Sequence, residues 1–496
     1  MSIFSSVPVK KVKKTKFDLS HEKKLSMKMG KLYPVLVQEI LPSDSFRVNS
    51  QVFLRFAPLI APVMERFYCN IHYFFVPNRL VWEDWEDFIT GGEDGTLTPS
   101  VPKISVSSTT QAQYATGTLA DYLGIPDPEG SLSNAFSASQ LPFRAYTLIY
   151  NEYYRDQNLE DEIDITDTTQ QATLRSRAWK KDYFTSALPF AQRGQEVTLP
   201  FNDINYSITS SVIRQDSNPA DGPLAAATGV LQDGTSGARI ENIESIGAPT
   251  INELRKAYRL QEWLENNARG GARYIEQIMS HFNQRSSDSR LQRPEYLGGG
   301  KTDVVISEVL NTAGYLSDTG DAGGYQGRMA GHAVSLGKTN SFKRKFEEHG
   351  FVLGLMSVMS YPTYFQGLHR MWQRYDKLDY AWPEFANLGE QEILNQELFI
   401  GTTTANREDV FGYTPRYSEY KYHANSIHGD FKTTLSFWNY AQKFNSRPAL
   451  NTDFIQWTND NRIFNVDDQE RDNVYAQVKH NISAIRPLPY FGVPRT

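Results

Sequence analysis

From residue 33 onward the chain alternates apolar and polar side chains at a period of two. Tyr33–Ile40 is rich in β-forming residues. Ser45–Phe56 puts Phe46, Val48, Val52, Leu54 and Phe56 on one face, with Ser50 as the gap in that row and Pro42 and Pro58 as its bounds. Phe67–Phe75 puts Phe67, Cys69, Ile71, Tyr73 and Phe75 on one side, and Tyr68, Asn70, His72 and Phe74 on the other with Arg66. Alternating runs punctuated by proline predict an antiparallel sheet. Strand-like runs return at Phe351–Met359, Phe431–Tyr440 and Val474–Ile485.

Between these ends the period changes. Asn78–Ile89 carries Trp82, Trp85, Phe88 and Ile89 on one helical face and stops at Gly91-Gly92. Leu141–Asn158 repeats apolar residues at helical spacing. Thr250 and Glu253 form a capping-box pattern, so a helix follows through Trp263 and Leu264; Gly270-Gly271 interrupts it, and the spacing resumes over Tyr274–Phe282. Residues 91–140 are rich in Ser, Thr, Gly and Pro, and Asn205–Thr250 breaks every period with glycine and proline. The simplest architecture is one β-sandwich whose inter-strand loops have grown large.

Composition adds a direction to this picture. The 496 residues can bury a sizeable core without metal or disulfide, and the single cysteine, Cys69, excludes an intramolecular disulfide. Twenty-seven tyrosines, 28 phenylalanines and 8 tryptophans are more aromatic surface than a monomer needs, a hint of assembly. Net charge is −6, yet residues 1–31 hold nine lysines against Asp18 and Glu22, so that stretch carries +7 and the remainder −13. A basic segment on an acidic body suits a polyanionic partner. Lys10, Lys11, Lys13, Lys14, Lys16, Lys23 and Lys24 are therefore candidate nucleic-acid contacts on a flexible arm. Arg175, Arg177, Lys180 and Lys181 around Trp179 interleave charge with an aromatic, as single-strand sites do, and so does Lys343-Arg344-Lys345 between Phe342 and Phe346.

Catalytic chemistry finds little support. Gly300-Lys301-Thr302 and Gly337-Lys338-Thr339 end like phosphate loops, but Glu295 and His332 occupy the places of the required first glycine. No zinc spacing or paired cysteine occurs. His72 and His480 read as strand histidines hydrogen-bonded in or beside the core. Carboxylates at 83, 84, 86 and 87 around two tryptophans suggest a sugar site only weakly, because an amphipathic helix with an acidic outer face explains them. No cofactor and no catalytic or metal-binding set is expected, and the reading is not an enzyme. Residues 1–9 do not form an export signal and Phe351–Leu368 is not a membrane span, so synthesis in a cytoplasm is expected.

Ser20–Gly92 resembles the major capsid proteins of small circular single-stranded DNA bacteriophages, the Microviridae, in the gokushovirus branch. Leu141–Leu159, Arg177–Gly194, Asn266–Phe282, Ser286–Val304 and His349–Trp372 continue the resemblance in the same order. It implies a mainly β fold: an eight-stranded antiparallel viral jelly roll with large, partly helical insertions between strands. It divides the chain into a basic internal arm (1–31) and a single jelly-roll domain (32–496). It implies a major capsid protein that self-assembles into a T=1 icosahedral shell of about sixty copies, the order of that rotation group. The shell would enclose a circular single-stranded DNA genome, with a small basic DNA-binding virion protein and, during assembly, a scaffolding protein as partners. The chain would reside in the virion, assembled in the host bacterial cytoplasm. The segment Asn205 to Thr250 (205–250) is the candidate variable insertion, a threefold surface protrusion for a host-cell receptor.

Overall fold

The alternation over Ser45–Phe56 is carried through without a fault in the computed structural model: Phe46, Val48, Ser50, Val52, Leu54 and Phe56 are buried and the residues between them face outward. The structure describes residues 13–491 apart from 128–129, 196, 199–249, 311, 313–314, 317–321, 324–328, 402–406, 458–459 and 466–470. Contacts divide the chain into two compact units, one of residues 1–191 with 272–496 and one of 192–271.

The first unit is organised by one ten-stranded sheet. Its strands are β1 (Thr15–Asp18), β2 (His21–Met27), β3 (Tyr33–Ile40), β4 (Ser45–Phe56) and β5 (Phe67–Pro77). Then come β6 (Glu295–Leu310), β7 (Met329–Lys338), β8 (Phe342–Lys345), β9 (Gly350–Ser360) and β10 (Val474–Arg486). Eight of them lie in the order β1–β10–β4–β7–β6–β5–β9–β3, with β2 also on β10 and β8 also on β4. All neighbours are antiparallel. The sheet curls until its ends meet: His480 on β10 reaches the Val35 carbonyl on β3 at 3.0 Å, and Lys23 on β2 reaches that of Pro34 at 2.9 Å. This is a jelly roll whose strands are extended by the two N-terminal segments.

Ser50 is no defect in the apolar row. Tyr73 Oη donates to Ser50 Oγ at 2.5 Å, and Ser50 Oγ lies 2.7 Å from His480 Nδ1. Because His480 Nε2 must donate to Val35, Nδ1 accepts, and the chain runs Tyr73 to Ser50 to His480 to Val35 with one neutral imidazole. Four strands are tied through the core by a satisfied polar network. His72 is likewise bonded, to Tyr154 Oη at 2.8 Å, and burial lowers the pKa of each histidine to about 4.

The connections between β5 and β6 and between β9 and β10 are the large insertions. The first holds α1 (Leu141–Ile149), whose buried Phe143, Tyr146 and Ile149 join the main core, with Tyr146 Oη donating to Leu32 O at 2.9 Å. Asn78–Ile89 is broken into Asn78–Val81 and Trp85–Thr90, ending at left-handed Gly91. Trp82 is buried against Trp85 and Phe88 while the four carboxylates are exposed, so the tryptophans form an apolar cluster rather than a sugar platform. The second insertion builds a small core of Tyr364, Ile393, Phe411 and Phe454 around Phe184 of the first. In the other unit, α2 (Ile251–Gly270) starts at the capping box formed by Thr250 and Glu253. Helix α3 (Tyr274–Phe282) belongs to the first unit.

Three expectations differ from what is found. Phe431–Tyr440 is not a strand but two 3-10 turns, Gly429–Lys432 and Ser436–Trp438; Asp430 O accepts from Thr433 and Leu435, closing the backbone locally. The strands β6 and β7 went unseen, since glycines at 298–300, 331 and 337 blur their alternation. The lysine-rich arm is not free over its described part: β1 and β2 pair with β10 because Phe17, Leu25 and Met27 fall on the core-facing side. Residues 1–12 and 205–249 lie outside the described residues.

Candidate nucleic-acid interface

The side of the sheet turned away from the core carries a basic stripe, and the strand registers assign its rows. Lys24, Gln477, Phe53 and Leu336 form one row across β2, β10, β4 and β7. Glu22, Lys479, Gln51 and Lys338 form the next. Asp18, Ser483, Arg47 and Lys343, then Lys16, Ile485, Ser45 and Lys345, complete the face across β1, β10, β4 and β8. Arg55 stands beside Tyr475 and has its guanidinium 6.0 Å from the Phe53 ring. Eight cations thus face outward against Asp18 and Glu22. Both carboxylates are engaged, Asp18 by the Ser20 amide at 3.0 Å and Glu22 by Gln477 at 2.9 Å.

The stripe continues onto β6 and β5. A Cβ on Gly337 would meet Thr302, and one on Gly300 would meet Thr339, so these glycines let β6 and β7 approach and bring Lys301 beside Lys338. The two phosphate-loop look-alikes are therefore neighbouring strands, with no loop to wrap a phosphate. Lys301 Nζ donates to Tyr361 Oη at 2.5 Å and lies 4.7 Å from the Tyr68 ring; the bond to Tyr361 raises its pKa. The Tyr68 and Tyr361 rings are 5.1 Å apart. Arg66 and Lys180 approach Tyr361 at 4.8 and 5.1 Å. Tyr361 is half-exposed over the buried Tyr68 ring, and the three cations around it, one of them 3.8 Å from Asp303, place a single stacking surface beside positive charge.

The individual lysines and arginines separate clearly. Lys16 and Lys24 lie on the stripe and Lys13 is exposed. Lys14 Nζ donates to Ser43 O at 2.9 Å. Lys23 points the other way: it donates to the Pro34 and Tyr122 carbonyls, and burial lowers its pKa to about 8. Lys10 and Lys11 fall outside the described residues. The 175–181 segment is pinned between Gly30–Lys31 and Ile455–Trp457 by backbone bonds. Trp179 is buried against Trp457, with ring centroids 4.3 Å apart, and is no stacking platform. Arg175 is half-buried, and its amide donates to Tyr146 Oη. Arg177 donates to Ser357 Oγ at 2.6 Å beside an open cavity of 420 Å³ lined by His72, Tyr154 and Tyr296. Lys181 is paired with Asp156, and Lys180 alone of the four reaches the stripe. Phe342 and Phe346 are buried and Arg344 is paired with Glu295 at 2.6 Å, leaving Lys343 and Lys345 outward. Sequence reading missed Arg47, Arg55, Arg66, Lys301 and Tyr361, which lie far apart in the chain and meet only through strand register.

Among the described residues no group of three or more His, Cys, Asp or Glu side chains is placed to hold a metal, and no helix is long and apolar enough to cross a membrane. The comparisons with known proteins agree with a shell-building role. A family model described as capsid protein (F protein) matches residues 5–496. Capsid protein VP1 of Bdellovibrio phage phiMH2K is 34% identical, covering 99% of this chain and 97% of the relative. Capsid protein VP1 of Chlamydia phage 1 is 33% identical with the same coverage, and that of Spiroplasma virus 4 is 27% identical. With nearly the whole chain matched, a jelly roll at its centre and an outward basic stripe on its sheet, the chain belongs to the phage F capsid protein family.

Proposed function

We propose that the chain is a non-enzymatic shell subunit that closes with its copies into a T=1 icosahedral capsid around circular single-stranded DNA. The observation that carries the genome contact is the stripe: eight outward cations on β1, β2, β4, β7, β8 and β10, with the rings of Phe53 and Tyr475 exposed among them and that of Tyr361 half-exposed at the edge. Cations offset the repulsion of confined phosphates, and the rings accept bases without regard to sequence. In this reading the stripe faces the genome, and Lys10 and Lys11 add two more cations for it. A small basic DNA-binding protein would share the interior, and a scaffolding protein would act during assembly.

Electron microscopy of the purified particles with nuclease protection tests this reading. Uniform icosahedral particles that shield single-stranded DNA are expected; a persistent monomer, or shells that bind no nucleic acid, would contradict it. The segment Asn205 to Thr250 is proposed as the outward host-attachment element, supported by its loop composition. Its deletion should spare assembly and lower attachment to host cells; unaltered attachment would rule that role out.

A further inference from the structure

The second insertion carries an apolar surface that the genome-facing stripe does not explain. From Trp372 to Leu388 the chain forms two 3-10 turns, Lys377–Asp379 and Pro383–Phe385. Trp372, Tyr375, Leu378, Tyr380, Trp382 and Leu388 are between 45 and 87% exposed. The polar groups of the same segment are used locally. The amides of Ala381 and Trp382 donate to Tyr420 and Tyr417 Oη at 3.1 and 3.2 Å, and Trp382 Nε1 donates to Lys377 O at 2.8 Å. Asp379 accepts from the amides of Tyr375 and Asp376. Arg374 stacks over Tyr420 at 4.2 Å and pairs with Glu419, whose side chain is nearly fully buried.

The segment is thus internally braced, with Arg374 and Asp379 directed to its own scaffold and its large side chains outward. Six such side chains at about half exposure present roughly 600 Å² of largely apolar area. That is at the upper end of what a monomer leaves uncovered, and close to the roughly 800 Å² per partner of a specific interface. Trp and Tyr supply four of the six outward side chains, and that enrichment is typical of an interface centre. We infer that Trp372–Leu388 is a contact surface for a second copy of this chain, covered when subunits close into the shell. This rests on the self-assembly reading above, which supplies the occupant: a capsid-family chain must meet copies of itself, and the patch has the size of one such meeting.

The test uses particles purified from cells producing the whole phage, with p-benzoylphenylalanine in place of Tyr375, which is 87% exposed. Irradiation is expected to yield covalent pairs of this chain, with the attached peptide belonging to the second copy. Adducts with a different virion protein, or none, would overturn the inference. A general amine cross-linker separates the two levels: pairs of this chain without any from position 375 overturn this surface alone, whereas no pairs from either reagent overturn self-assembly too. In parallel, the double substitution Tyr375→Glu and Leu388→Glu should cut particle yield at least tenfold while the dissociated subunit melts as wild type does. Wild-type particle yield from that variant would also overturn the inference.

Discussion

Lys23 and Lys24 show how one residue of register separates two roles. Both looked like phosphate contacts, yet Lys24 faces outward in the row of Phe53 and Leu336 while Lys23 serves the Pro34 and Tyr122 carbonyls. In salt titrations of binding to single-stranded DNA, Lys24→Ala should reduce the log–log slope by about 0.7, the share of one phosphate. Lys23→Met should leave that slope unchanged and lower the stability of the subunit instead. Equal effects on the slope would contradict the register. The buried histidines set a pH dependence. His72 and His480 have pKa values of about 4 when folded against an ordinary 6.5, so the unfolded chain takes up protons first as pH falls. Their contribution is fully present above pH 6.5 and is lost between there and about 4. Glu65, raised to about 7 by burial, acts in the opposite sense between 4.5 and 7. Burial also raises the pKa of Asp44, Asp182 and Glu397, so the His480 share is read by difference: the gap in urea midpoint between wild type and His480→Gln should shrink from pH 6.5 to 4.5, and a constant gap would contradict the neutral His480 network.

At the scale of elements, strands were legible where bulky residues alternate. Tyr33–Ile40 and Ser45–Phe56 stand as read, and Val474–Ile485 is longer by one residue. Glycine hid β6 and β7. On β6 the backbone at Gly298 takes a φ of +134° where the pairing with β5 shifts register, and a Cβ on Gly299 would lie 2.3 Å from the Ile71 carbonyl oxygen. These glycines mark a bulge and a close approach inside a strand, although in sequence they look like a loop. Gly299→Ala should force β6 away from β5 and destabilise the subunit by about 1–3 kcal/mol, read by chemical denaturation. Unchanged stability would mean that the strands can part there at no cost. Phe431–Tyr440 fails in the other direction: its residues favour strand, but no partner strand is offered and Asp430 closes the turns.

Over the whole molecule, the sheet class, the insertions and the family were legible because long segments of the chain carry them. The interface was only half legible. Lysine clustering pointed to Lys16 and Lys24, but Arg47, Arg55, Lys301 and Tyr361 are brought to one face by pairings between strands hundreds of residues apart. Such pairings leave no local mark, and the one segment chosen for interleaved charge and aromatics, 175–181, turns Trp179 into the core. We assign two surfaces: the basic stripe to polyanion, and the aromatic strip at Trp372–Leu388 to another subunit. Ultraviolet cross-linking of intact particles, followed by mass spectrometry of nucleotide-bearing peptides, tests this division most directly. Adducts should fall on Tyr361, Phe53 and Tyr475 of the stripe. Adducts absent from these strands, or concentrated on Tyr375 and Trp382, would contradict the genome-facing assignment.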